Sequence, residues 1–260
     1  MGSITTKRKI TMKKSLMISF VAVLFTFSNN ATAQESVYGE DGYRSLFNGK
    51  DLSGWKIPEG DGGHWNVIDG VIDYDARSEA EGDKSLWTTE EFGDFKLHVE
   101  WRFKGYGDHL FPLPTILPSG EYLRDENGKI IEPLGPNSDS GILIKGAGQV
   151  QMWCWSVGSG ELWSVRTDES LPAEVRAAAV PSEKADQPVG EWNSYDITVK
   201  GDRITVILNG ITVIDNALYP SMVKTGPIGL QHHGGINSKT GKLQGASSLV
   251  QFRNIWVKEL

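Results

Sequence analysis

The sequence predicts an all-β fold, a sandwich of two antiparallel sheets, and three observations support this prediction. Thirty Gly and eleven Pro among 260 residues indicate many turns. Apolar and polar residues alternate with a period of two in many short segments, whereas helical periodicity is rare. No linker, repeat or low-complexity tract divides residues 40–260. We therefore expect one sandwich domain over 43–260, preceded by a short tail at 34–42.

The segment 95–103 is the clearest predicted strand. Its apolar side chains Leu97, Val99 and Trp101 fall on one face, and the polar side chains of His98, Glu100 and Arg102 fall on the other. Further alternating or apolar segments lie at 65–74, 141–145, 149–155, 195–200, 203–208, 211–215, 227–231 and 249–258. This spacing favours a sheet protein.

Turns and loops connect these strands. Asn209-Gly210 between two apolar segments predicts a two-residue hairpin, because type I′ turns need positive φ at both central residues. Only 171–179 has the composition of a helix, so at most one or two short helices are expected. The irregular stretches 104–139 and 156–190 are long enough to be binding loops.

The N-terminus resembles a secretory signal peptide. An apolar segment, 16–27, is followed by the small-x-small pattern Ala31-Thr32-Ala33. The basic residues before it are Lys7, Arg8, Lys9, Lys13 and Lys14. We expect residues 1–33 to be cleaved and the mature protein to be periplasmic or secreted, without stable membrane insertion. The alternative is that this segment stays as a membrane anchor.

The charge argues against nucleic-acid binding. Removing residues 1–33 takes away five of the 26 basic side chains and none of the 33 acidic ones, so the net charge changes from −7 to −12. Such a surface repels phosphate backbones. Cys154 is the single cysteine, so no internal disulfide is possible, and a buried unreactive thiol is expected.

Several sequence motifs of enzyme families are absent. The chain contains no GxxxxGK[ST], GxSxG or HExxH pattern, which argues against nucleotide chemistry, serine hydrolysis and zinc helices. No organic cofactor is expected. Adjacent His232 and His233 would point to opposite faces of a strand and do not predict a metal site, although a divalent cation stays possible.

Polar faces of several predicted strands suggest a sugar-binding groove. If these faces align, they combine a carboxylate, an imidazole, two cations, amides and indole rings, which suit hydroxyl groups and the apolar face of a pyranose. The predicted groove residues are His98, Glu100, Arg102, Lys145, Gln149, Gln151, Trp153, Trp155, Gln231 and His233.

Each groove residue also has a structural interpretation. Glu100 and Arg102 together could form only an exposed ion pair, which contributes about 0–1 kcal/mol. His233 could be a hydrogen-bonded structural histidine. Trp153 would be a core residue if the strand were displaced by one position, because that error exchanges the two faces.

Seven segments together resemble the 3-keto-disaccharide hydrolase family, also named for 3-keto-glucoside lyase and hydratase activity. They are LFNGKDLSGW (46–55), FKLHVEWRF (95–103), DSGILIKG (139–146), QVQMW (149–153), GEWNSYDITVKGDRITVILNG (190–210), GPIGLQHHG (226–234) and FRNIWVKEL (252–260). The resemblance implies a concanavalin-like jelly-roll sandwich. It also implies an oxidised glycoside as substrate and an upstream glycoside 3-dehydrogenase as pathway partner.

The chemistry implied by this resemblance assigns roles to the groove residues. A base removes the C2 proton beside the C3 ketone, the C1–O bond breaks by elimination, and water adds to the double bond. The base would be His233 or Glu100, and the enolate would contact Lys145 and Arg102. The substrate would also contact His98, Asp139, Gln151, Trp153 and Gln231.

Two other functions fit the sequence. A conventional glycosidase needs two carboxylates, and a loop residue, Glu161 or Asp139, could join Glu100 in that role. A secreted carbohydrate-binding module, which binds sugar without turnover, would need no pair of catalytic carboxylates.

Overall fold

A computed structural model describes residues 1–2 and 41–260. The fold consists of an eight-stranded and a five-stranded antiparallel sheet, with a two-stranded ribbon beside them. Residues 3–33 of the predicted signal peptide and residues 34–40 of the predicted tail lie outside the described residues. The strands are β1 (Arg44–Ser45), β2 (Trp55–Lys56), β3 (Trp65–Ile68), β4 (Val71–Tyr74), β5 (Leu86–Thr88), β6 (Phe95–Phe103), β7 (Phe111–Pro112), β8 (Leu134–Gly135), β9 (Asp139–Ile144), β10 (Gly148–Trp153), β11 (Asn193–Lys200), β12 (Arg203–Leu208), β13 (Ile211–Leu218), β14 (Gly229–Leu230) and β15 (Val250–Glu259). The helices are α1 (Trp163–Arg166) and α2 (Ala173–Ala178).

The larger sheet has the order β13-β12-β11-β6-β15-β4-β3, with β1 added on β15. Strand β6 lies near its middle and shows the predicted alternation. Leu97, Val99 and Trp101 are buried in the core, and the side chains between them project from the other face. The facing predicted for this strand is therefore confirmed.

The smaller sheet has the order β10-β9-β14-β5-β2. Ile142, Val150 and Met152 from this sheet pack into the same core as the apolar face of β6. The inner faces of the two sheets therefore meet, and their outer faces point in opposite directions. This arrangement confirms the all-β sandwich.

Turn chemistry explains two of the hairpins. Asn209 and Gly210 have φ values of 52° and 82°, which confirms the predicted turn between β12 and β13. Asp69 and Gly70 have φ values of 51° and 78° and divide the segment 65–74 into β3 and β4. The expected helix at 171–179 is α2, whereas α1 was not predicted.

The long loops are partly ordered into short elements. The stretch 104–139 contains the β7–β8 ribbon, and 156–190 contains both helices. None of the helices in the described part of the chain is long and apolar enough to cross a membrane.

Candidate functional site

A cavity of about 230 Å³ lies on the outer face of the smaller sheet, and we call it the site cavity. Strands β9 and β10 form its floor, and residues from the long loops form its walls. It is lined by Phe111, Asp139, Gln149, Gln151, Trp153, Trp155, Trp163, Gln231 and His233. The site cavity therefore contains one carboxylate, one imidazole, three amides and three indoles.

The register of β9 and β10 determines which side chains share this face. Trp153 lies opposite Asp139, and Gln151 lies opposite Gly141. Gly141 allows the Gln149 side chain to lie directly over the strand, since a Cβ atom at this position would approach the Gln149 amide nitrogen to 2.8 Å. The chain after β14 continues this surface, because the Gln231 N–H donates to the Gly141 carbonyl at 3.0 Å.

Asp139 is a buried carboxyl group to which no cationic side chain among residues 41–260 donates a hydrogen bond. Its side chain accepts a hydrogen bond from Gln151 Nε2 at 2.6 Å, and only 6% of the residue is exposed. Burial raises the pKa of Asp139 to about 6, although nearby His233 and the Gln151 hydrogen bond act in the opposite direction. Asp139 can therefore gain or lose a proton near neutral pH.

The hydrogen bonds of His233 define its tautomer. The Nδ1 atom lies against the Ala246 carbonyl, which can only accept, so Nδ1 carries a proton and donates it. In the neutral ring, Nε2 is consequently the basic nitrogen, and no residue among 41–260 hydrogen-bonds to it. His233 thus has the tautomer that a general base needs.

Ser248 holds Asp139 and His233 together. Its hydroxyl accepts a hydrogen bond from the His233 N–H at 2.7 Å and donates to the Asp139 carbonyl at 2.7 Å. Both distances join the serine to backbone atoms, so the two side chains remain free to face the cavity. Nothing in the sequence around Ser248 signalled this role.

The three glutamines form a connected network. Gln149 Nε2 donates to Gln231 Oε1 at 3.0 Å and also to Gln151 Oε1. Gln231 Nε2 donates in return to Gln149 Oε1 at 3.2 Å. An amide has two N–H donors, so Gln151 and Gln231 each keep one donor that the network does not use.

Indole rings form the aromatic walls. Trp153 and Trp155 stack with ring centroids 4.0 Å apart and 4° between their planes, and both are buried. Trp163 on α1 is 45% exposed and offers the accessible aromatic surface. The predicted facing of Trp153 toward Gln151 is confirmed, whereas Trp163 and Phe111 were not predicted as site residues.

The prediction that Glu100 shares this groove is wrong. Glu100 projects from the outer face of the larger sheet, where its carboxylate accepts hydrogen bonds from Arg253 Nε at 2.6 Å and Asn254 Nδ2 at 2.8 Å. The core between the sheets separates this face from the site cavity. Alternation fixes the face within a strand but does not reveal which sheet the strand joins.

His98 and Arg102 lie on the same outer face of the larger sheet as Glu100, and neither of them lines the site cavity. His98 Nδ1 lies 2.8 Å from Asp196, and Arg102 donates to Gln251 at 2.7 Å. The Arg102 guanidinium also lies 4.7 Å from the centre of the Trp192 ring. This surface is a network of paired polar groups, but Glu100 pairs with Arg253 and Arg102 with Gln251, so the exposed ion pair expected between Glu100 and Arg102 is not what the described residues form.

The structure also separates Lys145 from the site cavity. Lys145 lies in the turn after β9, at the opposite end of that strand from Asp139. Its ammonium group is buried and lies 3.6 Å from Asp94. The predicted contact between Lys145 and an enolate in the same groove is therefore wrong, since Lys145 does not line the site cavity and its buried ammonium group lies near Asp94.

Other candidate groups have structural surroundings. Glu161 is completely buried and is paired with Arg166, so it does not supply a second cavity carboxylate. Tyr74 hydrogen-bonds His232 Nδ1 at 2.6 Å, and burial lowers the pKa of His232 to about 4. Among residues 1–2 and 41–260, no group of three or more His, Cys, Asp or Glu side chains is arranged to hold a metal ion.

A family model for the 3-keto-alpha-glucoside-1,2-lyase-like domain matches residues 42–258. The chain belongs to this family. The family identified from the seven sequence segments is thereby confirmed, and the match includes both sheets and the site cavity.

The chain is similar to two further proteins. A 3-keto-disaccharide hydrolase of Bacteroides thetaiotaomicron is 25% identical over 194 residues, which cover 69% of this chain and 61% of that protein. The chain thus matches less than two thirds of that relative's length. A candidate glycosyl hydrolase from Parabacteroides distasonis has a crystal structure with a TM-score of 0.50 and 24% identity, covering 85% of this chain and 84% of that one. This likeness shows the shared fold.

Proposed function

We propose that the chain cleaves 3-keto glycosides by elimination followed by hydration. The observation that carries this proposal is the pair formed by Asp139 and His233 in one cavity. In its neutral form His233 has Nε2 as the proton acceptor, because Nδ1 donates to the Ala246 carbonyl, and Asp139 has a pKa raised to about 6 by burial. Family membership and the similarity to a 3-keto-disaccharide hydrolase support the same chemistry.

Each group has a distinct role in the proposed reaction. His233 Nε2 takes the C2 proton, which the C3 ketone acidifies, and the C–H electrons form an enolate. The enolate collapses into a C1–C2 double bond as the C1–O bond breaks, and protonated Asp139 supplies the proton of the leaving oxygen. Water then adds its hydroxyl to C1 and a proton returns to C2, so the net reaction is hydrolysis.

Amide donors are the groups placed to stabilise the enolate. Lys145 and Arg102 lie elsewhere, whereas Gln151 and Gln231 each retain one unused N–H at the cavity. Fixed dipoles aimed at a developing oxyanion need no reorganisation during the reaction. The half-exposed Trp163 ring would support the apolar face of the sugar.

The carboxylate count favours elimination over conventional glycoside hydrolysis. Both retaining and inverting glycosidases ordinarily use a pair of carboxyl groups around the scissile bond. Among the described residues that line the site cavity, Asp139 is the one carboxyl group. Proton abstraction at C2 requires one base and one acid, which His233 and Asp139 provide.

The substrate's chemistry also defines the proposed setting. A 3-keto glycoside forms when a dehydrogenase oxidises the C3 hydroxyl, so such an enzyme is the proposed pathway partner. The signal-like N-terminus supports a periplasmic or secreted location for the mature chain.

Incubation of the mature protein with a 3-keto disaccharide and with its unoxidised parent tests the proposal. We expect sugar release from the ketone alone. Release from both compounds would favour a conventional glycosidase, and binding without release would favour a carbohydrate-binding module. Either result would contradict the proposed elimination.

A further inference from the structure

Gln149 lies at the centre of the glutamine network in the site cavity. Its Nε2 atom donates one hydrogen bond to Gln231 Oε1 at 3.0 Å and another to Gln151 Oε1, so both of its N–H donors are used. Its Oε1 atom accepts from Gln231 Nε2 at 3.2 Å. Gln149 therefore keeps no N–H donor for a substrate, in contrast to Gln151 and Gln231.

The contact with Gln149 determines which end of the Gln151 amide faces Asp139. Because Gln151 Oε1 accepts from Gln149, its Nε2 atom faces the other way and donates to Asp139 Oδ1 at 2.6 Å. Gln151 is 4% exposed, and a buried amide that loses a partner is destabilised by the desolvation cost of the unpaired atom. The hydrogen bonds thus have a fixed direction, from Gln149 through Gln151 to Asp139.

This direction makes the two carboxyl oxygens of Asp139 different. Oδ1 accepts the Gln151 N–H, whereas no side chain or backbone group in the described part of the chain hydrogen-bonds to Oδ2. When Asp139 is protonated, its proton is therefore carried by Oδ2, because a proton on Oδ1 would meet the Gln151 N–H. If the amide were reversed, Gln151 Oε1 would accept this proton and hold it away from a ligand.

We propose that Gln149 is a positioning residue that keeps the proton of Asp139 on Oδ2, where the leaving oxygen of the glycoside can take it. In that transfer the Oδ2–H bond breaks, the proton bonds to the leaving oxygen, and the electron pair stays on Asp139 as the carboxylate charge. The Gln151 N–H then stabilises this charge. The catalytic role rests on the proposed function, whereas the direction of the hydrogen bonds depends only on the side chains of Gln149, Gln151 and Asp139.

Gln149→Glu tests the direction of the hydrogen bonds, because a carboxylate of nearly the same shape accepts hydrogen bonds but cannot donate them. In this variant Gln151 Nε2 should turn to the new carboxylate, and its Oε1 should face Asp139. NMR titration of the mature protein follows the Gln151 side-chain N–H signals, which their absence in Gln151→Met identifies. In the wild-type chain these signals should shift as Asp139 ionises near pH 6, and Gln149→Glu should reduce this shift at least about threefold.

Gln231→Glu is the matched control for the added charge in this titration. Its carboxylate accepts from Gln149 Nε2, so Gln149 can still donate to Gln151, and the shift of the Gln151 signals should be retained. His233 is the other ionisable group that lines the cavity, and its ring signals in the same titration separate its ionisation from that of Asp139. Gln151 signals that do not respond to Asp139 in the wild-type chain would overturn the inference, as would an equal loss of the shift in the two variants.

Steady-state kinetics with a 3-keto disaccharide tests the catalytic role. Gln149→Glu should lower the maximum of the profile of kcat/KM against pH at least about tenfold and leave KM within about twofold. An added charge alone would move both limbs of the profile to higher pH, because it favours the protonated forms of the acid and of the base alike, and would preserve the maximum. Gln251→Glu is the matched control on the larger sheet, where Gln251 Nε2 donates to Asp73 Oδ1 at 2.6 Å, and its maximum should equal that of wild type.

The outcomes separate this inference from the proposed function. If the wild-type chain cleaves no 3-keto disaccharide but the NMR shifts follow expectation, the proposed reaction fails and the fixed direction of the hydrogen bonds stands. If the wild-type chain cleaves the disaccharide and Gln149→Glu keeps the full maximum, the reaction stands and the positioning role of Gln149 fails.

Discussion

The outer faces of the two sheets carry similar polar residues in different surroundings. On the larger sheet, the Glu100 carboxylate accepts hydrogen bonds from the Arg253 guanidinium and the Asn254 amide. On the smaller sheet, Asp139 is bonded by the neutral amide of Gln151 and faces a cavity with His233. The comparison shows that a carboxylate becomes a candidate for catalysis when its charge lacks a cationic partner and a basic group lies beside it.

Among the variants that distinguish the two outer faces, replacement of His233 should have the largest effect on activity. We expect His233→Ala to lower kcat/KM for a 3-keto disaccharide at least about 100-fold, because the C2 proton loses its acceptor. Glu100→Gln is the matched control on the opposite face and should change kcat/KM less than about twofold. Steady-state kinetics measures kcat/KM, and circular dichroism checks that each variant is folded. Equal losses of kcat/KM in both variants would contradict a catalytic role limited to the face of the smaller sheet.

Asp139 should determine one limb of the pH profile. Because the proposed acid must be protonated and its pKa in the free protein is raised to about 6, kcat/KM should fall as pH rises through about 6. Asp139→Asn should lower kcat at least about tenfold and remove this limb. A wild-type rate that increases through the same range would show that the ionised carboxylate is the active form.

The same carboxyl should reduce the stability of the fold at high pH. Its folded pKa of about 6 exceeds the ordinary value of 3.8, so the folded state binds the proton more tightly. This contribution to stability is complete below pH 3.8 and is lost as pH rises through 6. At pH 8, Asp139→Asn should therefore unfold with a free energy about 1–3 kcal/mol higher than wild type.

Denaturant titrations at pH 4 and pH 8 check this expectation, and most of the difference should disappear at pH 4. His232, whose pKa is lowered to about 4, weakens the fold as pH falls below 6.5. It is present in both chains, so its effect cancels in the comparison. A variant less stable than wild type at pH 8 would show that the Asp139 charge supports the fold.

A smaller effect should follow from removing an aromatic surface. Trp163→Ala should raise KM about fivefold and leave kcat nearly unchanged, because the ring orients the sugar without taking part in proton transfer. Trp192→Ala offers a matched control, since Trp192 packs against Arg102 and Arg253 on the larger sheet. If both variants raise KM equally, the result would contradict a sugar-binding site on the smaller sheet alone.

Local features were the ones that the sequence predicted well. Asn209-Gly210 predicted its hairpin because few residues tolerate two consecutive positive φ values. Alternation along β10 placed Gln151 and Trp153 on the same face. The prediction that Glu100 and His233 share one groove was wrong. It required both residues to belong to the same sheet, and pairing between distant strands decides which sheet a residue joins. Residues brought in by loops, such as Trp163 and Ser248, carried no periodic signal at all.

The central claim is that His233 removes a proton from C2, and cleavage in D₂O tests it most directly. Products from a 3-keto disaccharide can be examined by NMR for deuterium at C2. We expect wild-type chain to release sugar that carries deuterium at this carbon, and His233→Ala to release almost none. Cleavage by the wild-type chain with hydrogen fully retained at C2 would contradict the mechanism.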